Sequence, residues 1–344
     1  MIDMTGLWGN LDHLISRVAS PRLFFSGGLG DVEFLQSLPL SADVSAADVA
    51  VEKEENSGKV LRRTLRFYSP AKWLPEQGAL ARAEMILPTK FASSIPANAP
   101  IFLHFAATGD ETTLPRRKLL GEPLAERGIV SILLENPYYG RRRPKFQNDF
   151  VIGTLSDQFK MNQATILEGM ALLKWLHSAG HRNLGLTGIS MGGSMAASVA
   201  AASDLPVSVV ACIAPVGPGP AFCYGALANR IDWQTLAPEL SDYLGSNGGF
   251  ANGKFSLSHS KRQLHRLMSV ADLRNFAPPL QPERAILIAA ENDGYVPLKS
   301  VVALHKHWKG SQLRTIPGGH VSAVLLNGHV FRDAIAESAF QYSP

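Results

Sequence analysis

The stretch Gly188-Ile189-Ser190-Met191-Gly192-Gly193 constrains this chain more than any other. An apolar run from Leu184 to Ile189 leads into it, and small residues from Ser194 to Ala202 lead out of it. The first has the content of a buried strand, the second that of a helix lying close to a sheet. A serine between them stands on a sharp strand-to-helix turn, in a strained backbone conformation. Gly188 and Gly192 flank it because residues without Cβ atoms let neighbouring backbone approach. A G-x-S-x-G pattern in this setting predicts a nucleophilic serine presented at the end of a strand.

The rest of the chain supplies a sheet for that strand. Strands are expected at Ile101–Phe105, Ile129–Leu134, Val207–Ile213, Ala285–Ala290 and Gln312–Ile316. Helices are expected over 114–127, interrupted near Gly121 and Pro123, and over 155–179, where Ile166, Met170, Leu173 and Leu176 recur at helical spacing. Repeated β-α alternation implies a mostly parallel sheet with helices on both faces. With the serine turn, this pattern predicts the α/β-hydrolase fold. Two further strand candidates, Val60–Tyr68 and Ala83–Leu87, precede it. The first forty residues read as an amphipathic helix with Leu7, Leu11, Leu14, Ile15 and Val18 on one face, followed by a turn at Ser26–Asp31. Residues 41–57 are small and acidic, and are expected on the surface. Residues 218–280 break the rhythm with Pro, Gly, Ser and Asn, as a cap insertion would. The expected organisation is a helical extension over 1–58, the first part of the core over 59–217, the cap over 218–280 and the second part of the core over 281–344.

Composition narrows the function classes. At 344 residues, 46% hydrophobic and 18% charged, the chain has ample material for a globular core. A net charge of +4 is too small to point to nucleic acid. The basic clusters Arg62-Arg63, Arg116-Arg117-Lys118 and Lys261-Arg262 read as solvated surface. Two cysteines make neither a disulfide framework nor a zinc site, and Cys212 reads as a small core residue. No apolar run reaches the roughly 18 residues of a membrane helix, and Met1-Ile2-Asp3-Met4 lacks the pattern of a signal peptide. The expectation is a cytoplasmic protein without a transmembrane segment, with peripheral membrane contact and oligomeric state left open.

A serine hydroxyl needs a base to take its proton and a carboxylate to orient that base. In this fold the partners follow in the order Ser, Asp or Glu, His. Asp293, in the segment Glu291–Pro297 after the next-to-last strand, is the expected acid, with Glu291 in reserve. His320, in the glycine loop after the last strand, is the expected base. His305, His307 and His329 are expected on the surface, and His104 as a satisfied core histidine. An oxyanion hole would use the backbone N–H of Met191 and one from the loop Ala106–Asp110, with Ala107 and Thr108 as candidates. The expected reaction is cleavage of a carboxylic ester through an acyl-enzyme, with no metal or organic cofactor. The alternatives are acyl transfer from the same intermediate, or a ligand-binding member of the fold without catalysis.

Four segments carry a family resemblance: His104–Asp110, Leu133–Gly140, Thr187–Gly193 and Gly318–Ala323. Together they resemble the family of α/β-hydrolase domain-containing protein 18, from about residue 60 onward. The Leu-Leu-Glu-Asn-Pro-Tyr-Tyr-Gly block is the most specific of them. The resemblance implies Ser190, Asp293 and His320 as a triad and a lipid or phospholipid ester as substrate. In the same block, Tyr138 and Tyr139 could line a pocket while Arg141, Arg142 and Arg143 hold a phosphate or carboxylate. The alternative is a loop stiffened by Pro137 and Pro144, with the arginines facing water or paired with acids.

Overall fold

Strands buried on both sides favour near-continuous apolar runs, and the central strands of this sequence are mostly written that way. The computed structural model describes residues 5–19, 22–38, 43–245, 250–251 and 254–341. In chain order the strands are β1 (Ala50–Asn56), β2 (Val60–Tyr68), β3 (Leu80–Pro88), β4 (Ile101–Phe105), β5 (Val130–Leu134), β6 (Leu184–Ile189), β7 (Ser208–Cys212), β8 (Phe250–Ala251), β9 (Lys254–Phe255), β10 (Ala285–Ala290) and β11 (Gln312–Ile316). Nine of them form one sheet in the order β1-β2-β3-β5-β4-β6-β7-β10-β11. The pairs from β1 to β5 are antiparallel and those from β5 to β11 are parallel.

β4 shows how the two faces are filled. Ile101, Leu103 and Phe105 point into the cluster under the helices Leu155–Ser178 and Met191–Ala202. Phe102 points into the opposite cluster with Leu120, Leu124 and Phe331. The helix Leu155–Ser178 begins where Thr154 accepts a hydrogen bond from the Asp157 N–H at 3.1 Å, a side-chain cap on a donor that has no partner within the helix. The helix expected over 114–127 is reshaped at the expected place. One π-helical turn, Arg117–Gly121, separates the short pieces Leu114–Arg116 and Glu122–Glu126.

Of the stretch 41–57 expected to be exposed, the acidic part is exposed but is a strand, while Val44 is buried and Ala47 and Val49 pack against the core. β1 lies at the sheet edge, and its Glu54 meets Arg63 at 2.7 Å while Glu55 pairs with Arg62. Opposite charges across neighbouring strands explain why so polar a segment pairs at all. The segment expected to be a helical extension therefore contributes a strand to the main sheet.

The first helix, Thr5–Ala19, forms as expected but turns the other way. Leu14 and Val18 are 60% and 76% exposed, whereas Asp12 and Ser16 are buried. The Leu7 side chain lies outside the described residues. Of the expected apolar face, Ile15 turns inward beside the buried Asp12. Between β7 and β10 the chain runs through helices Pro218–Cys223, Trp233–Tyr243 and Leu257–Met268, whose Phe222, Leu240 and Leu264 form a second core with Phe24 and Phe25. Among the described residues, no helix is long and apolar enough to cross a membrane.

Candidate active site

Strand order reverses between β4 and β6, because the chain leaves β4 toward β5 on one side and returns to β6 on the other. Such a reversal opens a crevice at the carboxyl ends of the strands. The loop after β4 and the serine after β6 both lie there.

Ser190 has φ 57° and ψ −122°, in the region that side chains disfavour. A conformation of this kind costs on the order of 1–3 kcal/mol and is held by the surroundings. Here the Ser190 N–H donates to the Cys212 carbonyl of β7 at 2.9 Å. The two flanking glycines have no room for a side chain. A Cβ on Gly188 would stand 2.3 Å from the Gly192 carbonyl carbon, and one on Gly192 would stand 2.2 Å from the Phe105 carbonyl oxygen. The elbow is thereby pressed against the end of β4. Met191 is the first residue of the following helix, and N–H groups in a first helical turn have no partner within the helix.

Asp293 and His320 meet across the ends of β10 and β11. The His320 Nδ1 and Asp293 Oδ2 are 2.7 Å apart, and the Asp293 carboxylate is buried. Its other oxygen accepts from the N–H groups of Tyr295 and Val296 at 2.8 and 2.7 Å. Three contacts thus orient the carboxylate toward the imidazole. The Tyr295 ring lies beside the His320 ring, with centroids 4.8 Å apart. Burial pushes the Tyr295 hydroxyl up to about 12, so it stays protonated. Glu291 is exposed and takes no part in this pairing.

Ser190, Met191, His320, Ala107 and Thr108 all line one cavity of about 470 Å³. Its walls are mostly apolar, with Phe150, Phe159, Ile166, Phe222, Leu227 and Leu273 among them. The last three lie on the segment between β7 and β10. His104, Asp110 and Arg116 line the same cavity and make its most polar part.

That polar part was not legible as such. His104 is buried, but neither ring nitrogen has a protein partner, so it is not the satisfied core histidine expected. Burial, with the Arg116 guanidinium adding to it, drags its imidazole down to about 3 and keeps it neutral. Arg116 is buried too, contrary to the surface expectation. It donates to the carbonyls of His104 and Leu134 at 2.7 and 2.9 Å and pairs with Asp110. One guanidinium therefore ties the ends of β4 and β5 to the loop carrying Ala107 and Thr108. Burial raises the Asp110 carboxyl, and Arg116 opposes that rise.

The tyrosine and arginine block behaves differently from the pocket reading. The cavity wall at Ser190 includes none of Tyr138, Tyr139, Arg141, Arg142 and Arg143. Tyr138 and Tyr139 are buried, and the Tyr138 hydroxyl donates to Asp157 at 2.9 Å. Arg142 is enclosed, forked onto Glu168 at 2.5 and 2.8 Å and bonded to the carbonyls of Glu135 and Gly78, each at 2.7 Å. Arg143 pairs with Glu111, and Arg141 lies at a separate, shallower depression. Arg142 and Arg143 satisfy nearby acids and carbonyls, so the loop serves as a brace. His305 and His307, expected on the surface, are half-buried and bonded to Ser311 and to the Phe276 carbonyl.

One residue had no sequence signal at all. Asp12, 1% exposed, accepts from the N–H groups of Gly294 and His320 at 2.9 and 2.7 Å through one oxygen, and from Val321 at 3.0 Å through the other. These donors sit in the very loops that hold Asp293 and His320.

Solved structures share the architecture. An acetyl xylan esterase from Paenibacillus sp. R4 is 13% identical, with TM-score 0.57, covering 94% of this chain and 99% of that one. Acetyl xylan esterase 1 from Thermoanaerobacterium sp. JW/SL YS485 is 14% identical, with TM-score 0.56, covering 92% and 96%. A cold-adapted esterase from an Arctic intertidal metagenomic library is 16% identical, with TM-score 0.50, covering 83% and 97%. At these identities the likeness is one of fold, here the α/β-hydrolase fold. The family model described as alpha/beta hydrolase domain containing 18 matches residues 8–247 and 251–341, which takes in Asp12 as well as the elbow and both loops. On that match over nearly its whole length, the chain belongs to the alpha/beta hydrolase domain containing 18 family.

Proposed function

We propose that this protein is a serine hydrolase that cleaves carboxylic esters bearing an apolar acyl group. The observation that carries the reading is the 2.7 Å pairing of His320 with Asp293 in the wall of the cavity that also receives Ser190 on its strained turn. Asp293 fixes the imidazole with Nδ1 toward itself, which leaves Nε2 for the serine proton. Ser190 Oγ attacks the ester carbonyl as His320 takes its proton. The negative charge that develops on the carbonyl oxygen is met by the Met191 N–H and by an N–H from Ala107 or Thr108. His320 then gives the proton to the departing alkoxide, and water, activated by the same imidazole, releases the acid. In this reading the segment 218–280 is a cap, since Phe222, Leu227 and Leu273 close the cavity from that side. The apolar walls favour an acyl chain over a sugar as the group held there, and the volume suits a chain of moderate size.

The test is a series of nitrophenyl esters of increasing acyl length, with a fluorophosphonate probe alongside. The reading expects one labelled residue, Ser190, and loss of turnover on the order of a million-fold in Ser190→Ala. Turnover that survives this substitution, or a folded protein that resists the probe, overturns it. Free acid as the product in the presence of added alcohols supports hydrolysis. Alkyl ester as the main product would make acyl transfer the reaction.

A further inference from the structure

We propose that Asp12 is a positioning residue for the reaction, and that the helix Thr5–Ala19 is in this sense part of the active site. The proposal rests on the reading of Ser190, His320 and Asp293 as a triad. A buried carboxylate is costly unless donors surround it. Among the described residues, Asp12 accepts from the backbone of the two segments that carry acid and base. Its Oδ2 takes the N–H of Gly294, the residue directly after Asp293, and the N–H of His320 itself. Its Oδ1 takes the N–H of Val321. A single oxygen shared by both loops holds the backbone of the acid and that of the base in one spacing. The Nδ1 to Oδ2 contact of 2.7 Å depends on that spacing, because both side chains are short and buried.

The helix is shaped for this contact. A Cβ on Gly294 would come 2.8 Å from the Asp12 Cβ and 2.9 Å from the Gly9 carbonyl oxygen, so the helix backbone lies directly on the acid loop. Ser16, one turn further, donates to the His13 carbonyl at 2.8 Å and lines the cavity together with Tyr295, whose ring lies beside the His320 ring. Ile15 and Ser16 reach the cavity wall. Leu14 and Val18 of the same helix face outward, while the buried Asp12 and the half-buried Ile15 face in. The carboxylate is the anchor, and what it anchors is the acid and base pair.

Asp12→Asn tests this with little change of shape. It keeps one acceptor and sets an NH₂ group against a backbone N–H. Misplacement by about 1 Å at a reacting pair costs roughly 100-fold in rate. The expected result is a fall in kcat of that order with KM unchanged. The far-downfield proton resonance of the His320–Asp293 hydrogen bond is expected to weaken or move. Gly294→Ala pushes on the contact from the other side and is expected to do the same. The double variant is expected to fall no further than the worse single one, since both break one contact. If kcat stays within threefold and the downfield resonance is kept, Asp12 merely fastens a helix and the proposal fails. Loss of cooperative unfolding in both variants also overturns it, since the sheet and its cores do not depend on Asp12. The resonance reports the His320–Asp293 geometry without turnover, so a failure of the triad reading, seen in Ser190→Ala, is read separately.

Discussion

Gly192→Ala asks whether the close fit of elbow to β4 sets the rate. The added methyl would begin 2.2 Å from the Phe105 carbonyl oxygen. An ordinary carbon contact needs about 3.4 Å, so elbow and strand end must part by about 1.2 Å. The Met191 N–H rides on one side of that gap and the Ala107–Thr108 loop on the other, so the opening passes directly into the spacing of the proposed oxyanion donors. Losing one such donor costs roughly 100- to 1000-fold in kcat, or about 3–4 kcal/mol of barrier. The expected result is therefore a kcat at least about 100-fold lower on a short nitrophenyl ester, with the unfolding midpoint kept within reach of the parent. Gly153→Ala is the control, since a Cβ there meets nothing within 4 Å. A folded Gly192→Ala protein with kcat within threefold of the parent would refute the link between this contact and the charge-stabilising geometry.

Two further outcomes follow from the buried charges. Arg142→Met leaves Glu168 enclosed without its partner and should cost about 3–5 kcal/mol in denaturant unfolding, with acyl-chain preference unchanged; an unchanged midpoint would contradict the bracing role. His104 binds its proton only near pH 3 when folded but near 6.5 when unfolded, so the unfolded state holds the extra proton between those values. Stability should therefore fall as pH drops through that window, by up to about 1.4 kcal/mol per unit. In His104→Asn that acid slope should be shallower in urea titrations at pH 4, 5 and 6, and an identical slope would remove His104 from the account.

How much of this was legible depended on whether the signal was local. Gly188, Ser190 and Gly192 are constrained by one another within a single turn, so the pattern shows in five residues. The β4 and β6 strands announce themselves because burial on both faces leaves them apolar at every position but His104 and Thr187. Asp293 and His320 could be found because each follows its own strand. Asp12 could not, for its partners lie 282 to 309 residues away and no local pattern marks an aspartate that will bind backbone there. The helix that carries it even misled, since periodicity pointed to its leucines while a polar contact decides which side faces in. Arg116 and Arg142 were hidden for a similar reason. A run of basic residues looks the same whether its members meet water or fork onto carbonyls and a carboxylate from distant strands and helices.

The separation of 308 positions from Asp12 to His320 also has a meaning in time. At roughly 5–20 residues per second of synthesis, Asp12 is made about 15 to 60 s before the backbone donor it binds most closely. Throughout that interval the strands up to β10 can pair in turn, and the helix Thr5–Ala19 meets the Ala226–Arg230 turn and the Gly294 loop before its His320 donor exists. The contact that sets acid and base in one spacing is thus among the late ones, and reactivity is expected only once the last strand is in place.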